Sequence, residues 1–115
     1  MQSYDWSALP EERLNPLVSR KMIHGESMTV ARLSLKAGAV VPTHSHVNEQ
    51  ISMIESGAVR FVIGGRELLV RGGETVQIPP GVPHSVVAEE DSVAVDIFSP
   101  VREDWRRGDD AYLRG

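Results

Sequence analysis

Residues 38–57 read GAVVPTHSHVNEQISMIESG, and residues 73–88 read GETVQIPPGVPHSVVA. In the first stretch His44 and His46 stand two apart. A β-strand turns alternate side chains to the same face, so a strand over 39–46 sets both imidazoles on one side. Gln50 has the same parity and shares that face if the strand continues or bends gently. Glu49 has the opposite parity and is expected to point toward a strand neighbour, unless a bulge reverses the order. In the second stretch His84 follows Pro79-Pro80-Gly81, a turn with little backbone freedom. Two near ligands and a distant one are how a β protein draws two strands around a metal ion. An H-x-H pair taken alone is more often a surface or hydrogen-bonded pair, so the argument rests on the wider spacing.

Outward from these stretches the chain keeps one character. Short runs rich in Val, Ile and Leu alternate with Gly, Pro or charged clusters, the pattern of an all-β sandwich or barrel. Strands are expected near 18–23, 28–35, 39–46, 50–55, 58–63, 66–70, 75–78, 84–88 and 92–98. Gly64-Gly65 is the sharpest hairpin signal, because both residues accept positive φ. Residues 1–16, with Pro10 and Pro16, read as an irregular lead-in with one turn of helix at Pro10 to Arg13. The barrel spans about 17–100. Residues 101–115 read as a charged tail with a short helical turn. The whole of 1–115 is one domain, as its length suggests.

Composition narrows the chemistry. The 115 residues carry a formal net charge of −4 with both signs interspersed, which argues against nucleic acid and anionic membrane surfaces as partners. With no cysteine, disulfides and thiolate metal sites are excluded. No secretory signal or membrane-length apolar run is visible, so a cytoplasmic protein is the expectation. A set of His44, His46, Gln50 and His84 adds no charge to a bound divalent ion. The ion keeps its full positive charge, favours an anionic visitor, and has two positions open if octahedral. Imidazole-rich sites bind Ni, Zn, Fe, Mn, Co or Cu, and these ligands do not choose among them.

The spacing resembles the cupins. Gly38, His44, His46, Gln50 and Gly57 are similar to the first cupin motif, with Gln where many members have Glu. Gly73, Pro79, Gly81 and His84 are similar to the second, except that Ala88 stands where Asn often ends it. Fifteen residues lie between the two stretches, 58–72, as in compact microbial members. The resemblance implies a single-domain double-stranded β-helix, or jelly-roll barrel, with one divalent metal ion.

One residue falls outside that pattern. Asp96 interrupts the apolar run Val93 to Phe98, and a buried carboxylate is costly unless paired or placed in a polar cavity. It either pairs structurally with an arginine such as Arg102 or faces the metal cavity. The stretches HSHVNEQ, IPPGVPHSVVA and VDIFSPVRED resemble the KdgF-type pectin-degradation cupins, which help open 4,5-unsaturated uronates released by pectin or alginate lyases. That resemblance implies catalytic roles for Asp96 and Arg102, and substrate contacts from Phe98 and Arg102. It makes a small sugar acid the partner. The rival readings are an Fe(II)-dependent dioxygenase, a noncatalytic module binding a small carboxylate or sugar, and a storage-like structural cupin. His24 is assigned no role, and Arg60 either reaches the cavity or covers the outer face. Trp6, Trp105 and Tyr112 lie near the ends and are read as contacts in a homodimer.

Overall fold

The structure, a computed structural model, describes residues 1–114. Ten strands follow a short 3₁₀ turn at Trp6–Ala8: β1 (Glu12–Asn15), β2 (Val18–His24), β3 (Thr29–Leu35), β4 (Val40–His44), β5 (Glu49–Ser56), β6 (Ala58–Ile63), β7 (Arg66–Arg71), β8 (Thr75–Ile78), β9 (His84–Ala88) and β10 (Ser92–Ser99). Two short helices close the chain, α1 (Glu103–Arg106) and α2 (Ala111–Arg114). The strands form two antiparallel sheets, ordered β1-β2-β3-β10-β5-β8 and β4-β9-β6-β7.

The period-2 pattern packs the sheets together. On β3 the buried positions are Thr29, Ala31, Leu33 and Leu35, and on β5 they are Gln50, Ser52 and Ile54. On β10, Ser92, Ala94 and Phe98 are buried while Val93, Val95 and Ile97 are less so. Leu33, Leu35, Ile54 and Ile78 from one sheet share a core with Val41, Val59 and Phe61 from the other. The Gly64-Gly65 turn joins β6 to β7 with both φ angles positive, +54° and +80°, as the hairpin signal requires. Gly57 has φ +91°, and a Cβ there would run into the Asp91 carbonyl and Ser92. No side chain fits where β5 hands over to β6.

Three expectations need correction. The lead-in forms strand β1 at Glu12–Asn15, paired with β2, where a turn of helix was expected. Buried Leu14 gives this edge strand its anchor. The strand expected over 39–46 ends at His44, leaving His46 in the connection to the other sheet. Finally, the C-terminal segment is no loose tail. Val101, Arg102, Trp105, Asp110 and Leu113 are all buried, so it folds back onto the barrel. No helix among the described residues is long and apolar enough to cross a membrane.

Candidate metal centre

Three imidazoles meet between the sheets. His44 ends β4 and His84 begins β9, and the two are paired in register. Their ring centroids are 4.3 Å apart, and the His46 ring lies 5.6 Å from His44 and 4.9 Å from His84. One nitrogen from each lies within 4.8 Å of the others, so the cluster can hold a metal ion.

A bulge makes this possible. Val41 pairs with Val86 but His44 pairs with His84, so β4 carries one residue more than β9 over the interval. Regular alternation from buried Val41 would turn Thr43 inward. The extra residue swaps the faces beyond it, and His44 lines the cavity while Thr43 is exposed. Parity along one strand therefore does not unite the ligands. Gln50 sits on the opposite sheet, where it is paired with Phe98 and Ile78. It faces inward through the alternation of β5 itself. Glu49 points the other way and accepts a hydrogen bond from Gln77.

The hydrogen bonds fix which nitrogens are free. Nδ1 of His44, His46 and His84 meets the carbonyls of Pro42 (2.8 Å), Asn48 (3.0 Å) and Val82 (2.9 Å). A carbonyl only accepts, so each Nδ1 carries the proton and each Nε2 keeps a lone pair. His84 Nε2 is buried without a partner. His46 Nε2 faces Gln50 Oε1 at 3.0 Å. Gln50 Nε2 donates to Ser52 Oγ at 2.9 Å, which turns the amide oxygen toward the imidazole. Two acceptors thus confront each other beside an unpartnered third, an arrangement that a shared cation satisfies. Burial lowers the pKa of all three histidines, that of His44 to about 4. They are therefore neutral, the form that ligates.

His44, Gln50, His84, Asp96, Phe98 and Arg102 line one cavity of about 50 Å³, and the His46 ring packs edge-on against Phe98 at 5.6 Å. The structure thus brings His44, His46, Gln50, His84, Asp96, Phe98 and Arg102 to one place. Asp96 is paired in register with Ser52, and its Oδ1 is buried without a hydrogen-bond partner. Burial pushes its pKa up to about 6, against the opposing pull of Ser52 and the Arg102 charge. Arg102 does not form an ion pair with it. Its Nε and Nη2 grip Asp104 at 3.0 and 2.7 Å, and its guanidinium lies over the rings of Phe98 and Trp105 at 4.6 and 4.1 Å.

Several site residues escaped the sequence reading. Trp105 and Tyr112, read as partner contacts, line the cavity. The Tyr112 ring stands 4.5 Å from that of His44, and Asn48 donates to the carbonyls of Pro100 and Val101, tying the His46 loop to the C-terminal segment. The scarcity of aromatics, 5% of the chain, was the available signal that two late aromatics cover something. Trp6 lies apart and half-buried at the 3₁₀ turn. His24 is half-buried and bonded to Thr29. Arg60 pairs with Glu67 and Glu89 away from the cavity.

Comparison with known proteins agrees with this architecture. The family model described as the cupin domain matches residues 31–99. The pectin degradation protein KdgF of Dickeya dadantii (strain 3937) is 30% identical over 99 residues, covering 84% of this chain and 90% of that protein. The solved structure of KdgF from Halomonas sp. is similar with a TM-score of 0.79 at 28% identity, over 84% of this chain and 90% of its own. An RmlC-like cupin from Shewanella frigidimarina NCIMB 400 is similar with a TM-score of 0.84 at 23% identity, over 89% and 93% of the two chains.

Proposed function

Because this chain belongs to the cupin family, we propose that it is a metal-dependent enzyme that opens the ring of a 4,5-unsaturated uronate from pectin or alginate breakdown. The observation that carries the reading is Asp96, a carboxylate without an ion-pair partner in the same cavity as the uncharged ligand set. The likeness to two KdgF proteins, one of them a pectin degradation protein by name, supports the choice of substrate class. His44, His46, Gln50 and His84 would hold one divalent ion, whose positive charge opposes the negative charge that develops on the ring oxygen.

The remaining work falls to the chain. Asp96 takes the proton from the anomeric hydroxyl as the bond between C1 and the ring oxygen breaks. C1 becomes an aldehyde and the former ring oxygen an enolate. The same carboxyl group then delivers that proton to C4, leaving a ketone at C5, so the step neither gains nor loses a proton. Phe98 keeps water from the enolate, and Arg102 binds the substrate carboxylate.

Loss of ultraviolet absorbance from an unsaturated uronate, made by lyase digestion of pectate, is expected to accelerate with the metal-loaded protein. A rate equal to the spontaneous one overturns the reading for that substrate. Asp96→Asn is expected to lower the rate by about 10²-fold or more with metal content unchanged.

A further inference from the structure

Tyr112 touches His44, Arg102 and Trp105 at once, and its hydrogen bonds leave it with one unused function. Arg102 Nη2 donates to Tyr112 Oη at 2.7 Å, and Trp105 Nε1 donates to the same oxygen at 3.1 Å. A guanidinium and an indole N–H are donors only, so both lone-pair directions of the phenol oxygen are occupied. Neither neighbour can take the phenol proton, and no other acceptor reaches it among the described residues. Accepting from a cation also strengthens the phenol as a donor. Tyr112 therefore presents a single polarised O–H on the cavity wall, held in place by two fixed neighbours.

Arg102 is left in a matching state. Asp104 occupies its Nε and Nη2, and Tyr112 shares Nη2. Among the described residues only Nη1 lacks a partner, and unlike two nitrogens of Arg20 it is not sealed off. We propose that Tyr112 Oη and Arg102 Nη1 together form the carboxylate-recognition site of the cavity, with Tyr112 as a specificity-determining residue. The phenol proton meets one carboxylate oxygen and Nη1 the other. This rests on the reading that a sugar acid visits the metal, and it supplies a reason for acids to be preferred over neutral sugars.

The test uses the metal-loaded full chain, with glucuronate as probe and glucose as its neutral counterpart, both measured by calorimetry. Wild type is expected to bind glucuronate in preference to glucose. Tyr112→Phe keeps the ring against His44 and is expected to weaken glucuronate binding by about tenfold or more with metal content unchanged. Equal affinity in the two proteins, or no preference for glucuronate in wild type, overturns the proposal. A second measurement needs no variant. The chain has two tyrosines, Tyr4 and Tyr112, so ¹³C-tyrosine labelling gives two Cζ signals. Saturating glucuronate is expected to move that of Tyr112 and not that of Tyr4, and an unmoved Tyr112 signal overturns the proposal even if Tyr112→Phe fails to fold. The two readings fail separately. Charge-selective binding lost in Tyr112→Phe without uronate turnover sinks only the ring-opening reaction. Turnover with KM unchanged in Tyr112→Phe sinks only the recognition site.

Discussion

At Asp96 the fold carries a carboxyl group under a cost that a structural residue would not bear. Burial raises its pKa from 3.8 to about 6. A group shifted upward favours the folded state fully below its unfolded pKa, and that contribution is lost as pH rises through the folded value. At about 1.4 kcal/mol per pH unit, the interval corresponds to about 3 kcal/mol. Metal-free Asp96→Asn, which cannot ionise, is therefore expected to be more stable than wild type at pH 7, with the difference vanishing near pH 4. Urea denaturation at the two pH values measures this, and a flat difference refutes it. A cation in the cavity pulls the pKa back down and shrinks the gain. His84 makes the complementary case, since its buried Nε2 has no protein partner. His84→Ala and His44→Ala are each expected to abolish metal retention after dialysis, with normal metal content in either contradicting the ligand set.

Among the elements, the strands were the most legible part of the sequence. Nine runs of alternating apolar residues stand where the structure has strands β2 to β10, because alternation is a local consequence of packing one face. Strand β1 was hidden by Pro10 and Pro16 on either side of it and by its single buried residue, Leu14. The motif glycine at 57 was legible as a turn, but its necessity is tertiary: the β5–β6 turn presses against Asp91 and Ser92. Gly57→Ala adds a collision to the cost of φ +91° and is expected to destabilise by about 3 kcal/mol, read from the urea midpoint. Loss of less than about 1 kcal/mol would show that the turn relaxes freely. The candidate ligands were legible by residue type and motif spacing, but not by the parity first used to group them. That grouping assumed a continuous strand, whereas the chain leaves β4 after His44 and enters the other sheet at Glu49.

Across the whole molecule, the two ends of the chain are joined by charge. Arg20, 1% exposed, meets Asp110 at 2.8 Å and stacks 4.6 Å from the Trp105 ring. Arg114 reaches both Asp110 and Glu12. This network holds the C-terminal segment over the cavity, and no short-range pattern announces it, since its partners lie about ninety residues apart in sequence, with |i−j| of 90 for Arg20 and Asp110. Asp110→Ala leaves Arg20 buried without its close partner and is expected to cost about 3 kcal/mol by urea denaturation. It should also shift Trp105 fluorescence to the red as the cover loosens. An unshifted spectrum with full stability would mean that packing alone holds the segment. The bulge in β4 has a consequence at this same scale. Inserting one residue between Ser85 and Val86 would restore regular pairing of β4 with β9 and turn His44 out toward solvent, with every candidate ligand still present in the chain. A single gained codon could thus separate metal-binding from metal-free descendants of one ancestor, and comparison of ligand residues alone would miss the event.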